Sequence, residues 1–382
     1  MLNIGVIGFG ARANGVVGIM LDRVTKDVRL AAVCDKNIES VRKRYLEPRG
    51  LTDVNFYTDA TEMLEKEKLD GVFIGTNCST HASFAVLVAG YGIPIFLEKP
   101  VATTFKDVEM LKGILDFNDK IVVSFPLRTA GITTYVKKLV DEGKIGEIAH
   151  VQAYNNVPYG IGYYQKWYRD DSITGGLFLQ KATHDLDYIN YVIGNHKPVR
   201  VCAMTSKQVF KGDKPAGFKC VDCEEKMTCP ESTYLKKLQP TGHTVGEYCC
   251  FSVDTGNEDS GSAIIEYDNG MHVVYSQDFI VRNGAGKRGA RFIGYKGTLE
   301  FDFRTGIVTV FHHHDKIVET HNLSENVEGH FGGDYTLVDN FVEIMKGSER
   351  SHSPLSEGIL SAELCLCAKK SSEEHIFVEL NQ

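Results

Sequence analysis

Short apolar runs recur through the first third of the chain, at residues 2–7, 28–34, 71–75, 93–97 and 121–125, with stretches of helical period between them. The runs are apolar at successive positions rather than alternate ones, so both faces need cover. Strands of that kind lie in parallel sheets with helices on both sides. This alternation of strand and helix predicts a doubly wound parallel sheet. Beyond residue 125 the texture changes. Tyr135, Val136, Leu139 and Val140 mark one face of a helix, and the strands that follow alternate apolar and polar residues. Asp268-Asn269-Gly270 separates two such runs, 262–267 and 272–279, and Asn-Gly between alternating runs is a strong hairpin signal. Short strands at 289–294, 298–303 and 307–312 extend one open, mainly antiparallel sheet, with helices on one face and the other face free to pair subunits. Helical period returns at 334–346, with Leu337, Val338, Phe341 and Met345 in register, and at 356–371 behind Pro354. The expected class is α/β.

At 382 residues the chain most naturally holds two domains. Its 43% hydrophobic and 24% charged residues are the balance of a globular protein, not a disordered or fibrous one. A net charge of −8, with no long Lys/Arg cluster, leaves nucleic acid an unexpected partner. Apolar runs of strand length are too short to span a membrane. The first residues run directly into a strand and a glycine turn, so no secretion leader is expected and the localisation predicted is cytoplasmic. Ten cysteines in such a chain are too dilute for a disulfide scaffold and should be mostly reduced.

Gly8-Phe9-Gly10-Ala11-Arg12-Ala13 follows the first strand and opens a helix. Small residues at the first, third and sixth positions allow a tight turn, close approach of backbone to a pyrophosphate, and close helix packing. The helix N-terminus then faces the phosphates. The second strand ends at Asp35, 22 residues after Ala13, which suits an acid accepting from the adenosine ribose. NAD is the expected cofactor; Lys36, next in sequence, suits a 2′-phosphate and leaves NADP open. Residues 1–124 are thus predicted as a Rossmann dinucleotide-binding domain. Residues 125–352 are predicted as a substrate-binding and oligomerisation domain, and a C-terminal helix within 353–372 returns to the first.

Glu98-Lys99-Pro100 after the fifth strand, and Thr76-Asn77-Cys78-Ser79-Thr80-His81 after the fourth, resemble motifs of the glucose–fructose oxidoreductase/inositol dehydrogenase (Gfo/Idh/MocA) family. Further matches are Val123-Ser124-Phe125-Pro126-Leu127-Arg128, the helix ending Glu142-Gly143-Lys144-Ile145-Gly146, and Gly175-Gly176 leading to His184 and Asp187. The five together span nearly the whole chain. The resemblance implies a Rossmann domain, then an α/β domain with a large open sheet, and a substrate site in the cleft between them. It also implies that Lys99 sits beside the nicotinamide and bonds a substrate hydroxyl, while Glu98, Thr76, Asn77 and His81 line the cofactor groove. An ammonium there would stabilise charge on the reacting oxygen and orient the alcohol.

By the same resemblance His184 is the base that takes the hydroxyl proton. Thr183 is expected to cap a helix starting at His184, whose dipole would keep the imidazole neutral. The family's commonest pattern has an aspartate four residues before this histidine, where this chain has Gln180 followed by Lys181. Gln180 can orient a hydroxyl but cannot accept a proton, so acid–base work falls to His184, with Lys99 and Lys181 assisting. Asp187, one turn beyond His184, is placed to bond the imidazole or a ligand hydroxyl, whereas Asp185 points elsewhere. Arg128, and His330 in the glycine-rich stretch Gly329-His330-Phe331-Gly332-Gly333-Asp334, complete the expected substrate contacts.

Cys220, Cys223 and Cys229 lie in a Lys/Pro/Gly-rich insertion at a spacing open to zinc with His243 as a fourth ligand, to a disulfide, or to three loop thiols. No metal is assigned. His312 and His314 fall on one face of a strand and read as solvated. The reaction expected is hydride transfer between NAD(P) and a secondary hydroxyl, or the matching ketone, of a sugar, inositol or glycoside. Two alternatives follow from the resemblance: an enzyme that holds NAD tightly and cleaves a glycoside through transient oxidation, and a cofactor-binding sensor or co-repressor without chemistry. A homodimer or homotetramer through the open sheet face is expected.

Overall fold

The computed structural model describes residues 1–23, 27–238, 246–323 and 328–380. These form two units, Met1–Thr134 with Asn326–Glu363, and Tyr135–Glu325 with Leu364–Gln382. The helices that matter below are α1 (Ala11–Arg23), α2 (Leu177–Ile193), α3 (Gly333–Lys346) and α4 (Leu355–Glu374).

In the first unit β1 (Leu2–Ile7), β2 (Val28–Cys34), β3 (Asn55–Tyr57), β4 (Gly71–Ile74), β5 (Ile95–Leu97) and β6 (Ile121–Val123) form one parallel sheet in the order β3-β2-β1-β4-β5-β6. This is the doubly wound dinucleotide-binding order, reversing direction between β1 and β4. The five apolar runs in the sequence became five of these strands. The sixth, β3, has three residues, none of them fully buried, and is too short and polar to stand out. It exists because β2 offers a free edge, where Ala32 pairs with Asn55 and Cys34 with Tyr57.

Ile4, Val6, Phe9, Val16, Val17, Met20 and Val33 share a core with Leu337, Val338, Phe341 and Val342 of α3. A helix distant in sequence therefore completes the Rossmann core. Gly71 makes room for it: a Cβ there would stand 2.8 Å from the Phe341 ring. The start of α4 also belongs to this unit, with Val123 N–H donating to Ser353 O at 2.7 Å.

In the second unit β7 (Ile148–Asn156), β8 (Pro198–Ser206), β9 (Ser260–Tyr267), β10 (His272–Asp278), β11 (Lys287–Gly294), β12 (Gly297–Asp302), β13 (Ile307–His312), β14 (Val318–Asn322) and β15 (Val378–Glu379) form a nine-stranded sheet. The order is β14-β13-β12-β11-β7-β10-β9-β8-β15, antiparallel except where β7 and β10 run together. The hairpin β9–β10 turns at Asp268-Asn269-Gly270, with Gly270 at φ +85°. Along β9 buried Ala263, Ile265 and Tyr267 alternate with exposed Ser262 and Ile264. The buried face carries α2, whose Phe178 and Tyr188 rings meet Tyr275 and Phe301 edge-on. Such T-shaped contacts place a positive ring edge on a negative ring face. Among the described residues no helix is long and apolar enough to cross a membrane.

Candidate functional site

The loops after β1, β2, β4 and β5 gather at the point where the strand order of the first unit reverses. Gly8 N–H continues the β1 ladder to Cys34 O, and Gly75 N–H continues β4 to Ile7 O, each at 2.9 Å. Gly8 has φ +81°, and a Cβ there would lie 2.7 Å from Thr76 N, so only glycine lets these loops close. At Gly10 a Cβ would find nothing within 4 Å among the described residues. The backbone ahead of α1 is therefore open, as approach by a pyrophosphate requires. Phe9 and Ala13 are buried, anchoring the turn, while Gly10 and Ala11 face outward.

Asp35 Oδ2 accepts from Phe9 N–H and Oδ1 from Asn37 N–H, both at 2.8 Å. Its carboxylate is thereby fixed beside the glycine turn, and each oxygen keeps a lone pair for a ribose hydroxyl. After β5, Glu98 is buried and Lys99 half-buried. Burial pushes the Cys78 thiol up, and the nearby Lys99 charge works against that shift. His81 is buried beneath both loops, one ring nitrogen 2.8 Å from Pro100 O and the other 3.1 Å from Thr76 O. Its contacts are with backbone, so it positions the Thr76-Asn77 and Lys99 segments.

Arg12 reaches across the ends of the strands. Its Nε donates to Glu98 Oε1 at 2.8 Å, its two Nη groups donate to the two Asp334 carboxylate oxygens, and Nη2 also donates to Ser124 Oγ. Asp334 additionally meets His330 Nδ1 at 2.8 Å. Burial alone would push the Asp334 carboxyl up; hydrogen bonds from His330 and Arg12 outweigh it and hold the group well below the usual carboxylate range. His330, Phe331 and Gly332 have φ of +49°, +59° and +84°, three successive residues in the left-handed region. Strain of this kind persists only where surrounding contacts fix it; here the His330–Asp334–Arg12 chain and the close seat of Gly333 on Pro126 do so. Arg128 is buried and donates to Glu357 Oε2 at 2.8 Å.

In the second unit α2 begins at Leu177, not at His184. Gly175 and Gly176 take φ +80° and +93°, and the Glu258 carboxylate accepts from the N–H groups of Leu177 and Phe178. The cap expected of Thr183 is thus supplied by an acid 81 residues beyond Leu177. His184 stands two turns inside the helix, beyond the reach of the terminal dipole, so that dipole does not set its charge. Gln180, Lys181, His184 and Asp187 are all buried on α2. Asp185 turns to the sheet and accepts from Asn155 Nδ2, Tyr275 Oη and Arg288 Nε at 2.8, 2.8 and 2.7 Å.

Two family models match: the oxidoreductase family NAD-binding Rossmann fold over residues 2–125, and the GFO/IDH/MocA C-terminal domain over residues 133–300. The chain belongs to the Gfo/Idh/MocA oxidoreductase family. Its first domain is an NAD-binding Rossmann domain, and the open Gly10 approach and the fixed Asp35 carboxylate fit that cofactor. A relative, YteT of Bacillus subtilis (strain 168), named as an oxidoreductase, is 24% identical over 387 residues, covering 89% of this chain and 88% of that one. The inositol 2-dehydrogenase of Rhizobium meliloti (strain 1021) is 28% identical over 221 residues, 55% of this chain and 62% of that protein. A solved levoglucosan dehydrogenase in complex with NADH and levoglucosan has the same fold, with a TM-score of 0.77 at 18% identity over 100% of both chains.

Several residues of this family site escaped sequence reasoning. Asp334 lay in a quoted motif but gave no hint of its tie to Arg12, 322 residues away. Tyr159 and Tyr163, four apart in sequence, carry no local sign of a partner; both flank Lys181. Glu258 and Arg288 had no local signal at all. Cys220, Cys223 and Cys229 are free thiols, the first two buried. Cys249 faces them across the Lys219–Tyr248 bridge, its N–H donating to Phe218 O. Among the described residues no three His, Cys, Asp or Glu side chains come together to hold a metal, and His243 lies outside the described residues. His312 bonds Glu319 Oε1 at 2.6 Å.

Proposed function

We propose that this family member is an NAD-dependent dehydrogenase acting on a secondary hydroxyl of a sugar, inositol or glycoside, or reducing the matching ketone. Residues 1–124 would hold the cofactor and 125–352 the substrate. The observation that carries the reading is the fixed Asp35 carboxylate beside an open glycine turn, in a chain that also buries Lys181 and His184 on one face of α2. The names of the relatives, an inositol 2-dehydrogenase and a levoglucosan dehydrogenase, support the substrate class.

Nicotinamide, when bound, supplies the hydride acceptor. Gly8, Phe9, Gly10, Ala11 and Ala13 would hold the pyrophosphate on backbone, and Asp35 would accept from the ribose and disfavour a 2′-phosphate. Lys99 donates to the substrate hydroxyl, and His184 takes its proton on an imidazole nitrogen. Gln180 and Asp187 orient neighbouring hydroxyls. Arg12, Glu98 and His81 act on the cofactor groove by holding its loops.

Lys99→Met and His184→Ala, measured by NADH absorbance against a panel of sugars and polyols, should keep NAD binding and lose about 100-fold or more in turnover. Undiminished turnover in both would overturn the mechanism. Copies of the chain pair, on our reading, through the free face of the nine-stranded sheet, where Met204 is 72% and Ile264 50% exposed.

A further inference from the structure

Lys181 is 8% exposed, and its described partners are phenols rather than a carboxylate. Its Nζ lies 3.4 Å from Tyr159 Oη, 5.0 Å from the Tyr159 ring centre and 4.8 Å from that of Tyr163. Two ring faces and a hydroxyl lower the cost of burying the ammonium but leave its charge unmatched. The sheet beneath adds a second cation. Arg288, Asn155 and Gln277 stand at one register on β11, β7 and β10, and so share a face. Asp185 neutralises Arg288 through Nε at 2.7 Å. Arg288 Nη2 and Gln277 Nε2 remain buried donors without hydrogen-bond partners among the described residues. Counting Lys181, Arg288 and Asp185, the cluster carries one net positive charge.

A buried cation with spare donors nearby calls for an anionic oxygen. The way in is Tyr159, whose side chain is 46% exposed while its hydroxyl touches Lys181. The electrostatics agree, because Lys181 foremost, and Arg288 after it, draw the Tyr159 phenol below its ordinary value against the desolvation of its hydroxyl. One net charge suits a monoanion such as a carboxylate better than a phosphate dianion. Lys181 and His184 are three residues apart on α2, neighbours on one helical face.

We propose that Lys181, lipped by Tyr159 and backed by Arg288, is a carboxylate subsite, and that the substrate is a sugar acid rather than a neutral polyol. This rests on reading the His184 face of α2 as the substrate face.

The test is calorimetric titration of the full chain at saturating NAD with D-glucuronate and D-galacturonate, each against glucose and galactose, with glucose 6-phosphate as a further arm. At least one acid should bind about tenfold or more tightly than its neutral partner, and than the phosphate. Lys181→Met should bring acid and neutral sugar to within about threefold of each other. Tyr159→Phe keeps the half-exposed ring and removes only the hydroxyl that touches Lys181, which keeps the test open if the lysine variant misfolds, and it should narrow the preference about threefold. Equal binding of acids and neutral sugars, no binding of either acid, stronger binding of the phosphate, or a preference undiminished in both variants would overturn the subsite. An acid that binds with this Lys181 dependence yet yields no NADH would refute the dehydrogenase reading and leave the subsite standing.

Discussion

Gly8 combines φ +81° with a Cβ position 2.7 Å from both the backbone nitrogen and the methyl group of Thr76. Gly8→Ala therefore meets a backbone penalty and a clash together, at least about 2 kcal/mol. Thermal unfolding should show a midpoint lowered by about 4–8 °C, with NAD no longer raising it; an unchanged midpoint would count against the close contact of the two loops. Asp35→Ala should cost about tenfold or more in NAD affinity while NADP affinity changes little, as measured by fluorescence titration. Asp334 offers a test by pH. Arg12 and His330 hold its folded pKa below the unfolded value, near 3.9, so the ionised group contributes its full stability above about pH 5. That contribution fades as pH falls through the folded value. Asp334→Asn leaves Arg12 facing a neutral amide and should cost about 3 kcal/mol at pH 7. In denaturant unfolding the gap between variant and wild type should shrink below about pH 4. A gap constant down to pH 3 would show that the ion pair is not its source.

At the scale of elements, α2 is governed by its cap. Burial pushes the Glu258 carboxyl up, and hydrogen bonds from backbone N–H groups, those of Phe178 and Leu177 among them, pull it partly back. Glu258→Ala strands those donors and should cost about 1 kcal/mol, read as faster amide exchange confined to the first turn of α2. Unchanged exchange at Leu177 and Phe178 would mean that the glycines alone hold the start. The period along 177–193 is legible in the sequence, but its beginning is not. Gly175-Gly176 looks like a turn, Thr183 looks like a cap, and the acid that decides between them belongs to the segment before β9.

For the molecule as a whole, the free face of the large sheet carries Met204 and Ile264 on adjacent strands, with Phe377 63% exposed beside them. Ile264→Glu with Met204→Glu should turn an oligomer into a monomer by light scattering after gel filtration, with NAD affinity unchanged. A monomeric wild type would remove that face as an interface. The sequence by itself determined the α/β class, five of six Rossmann strands, the β9–β10 hairpin and the Gly8–Asp35 cofactor signature. Each of these depends on local period or on short-range backbone geometry, which neighbouring residues dictate. Tertiary structure alone decided β3, the Glu258 cap, the Arg12–Asp334 tie and the setting of Lys181 between two tyrosines above the Arg288 row. Those features join residues tens to hundreds of positions apart. A buried charge or an orphaned helix terminus takes whatever partner folding brings to it, and no local pattern records which one that is.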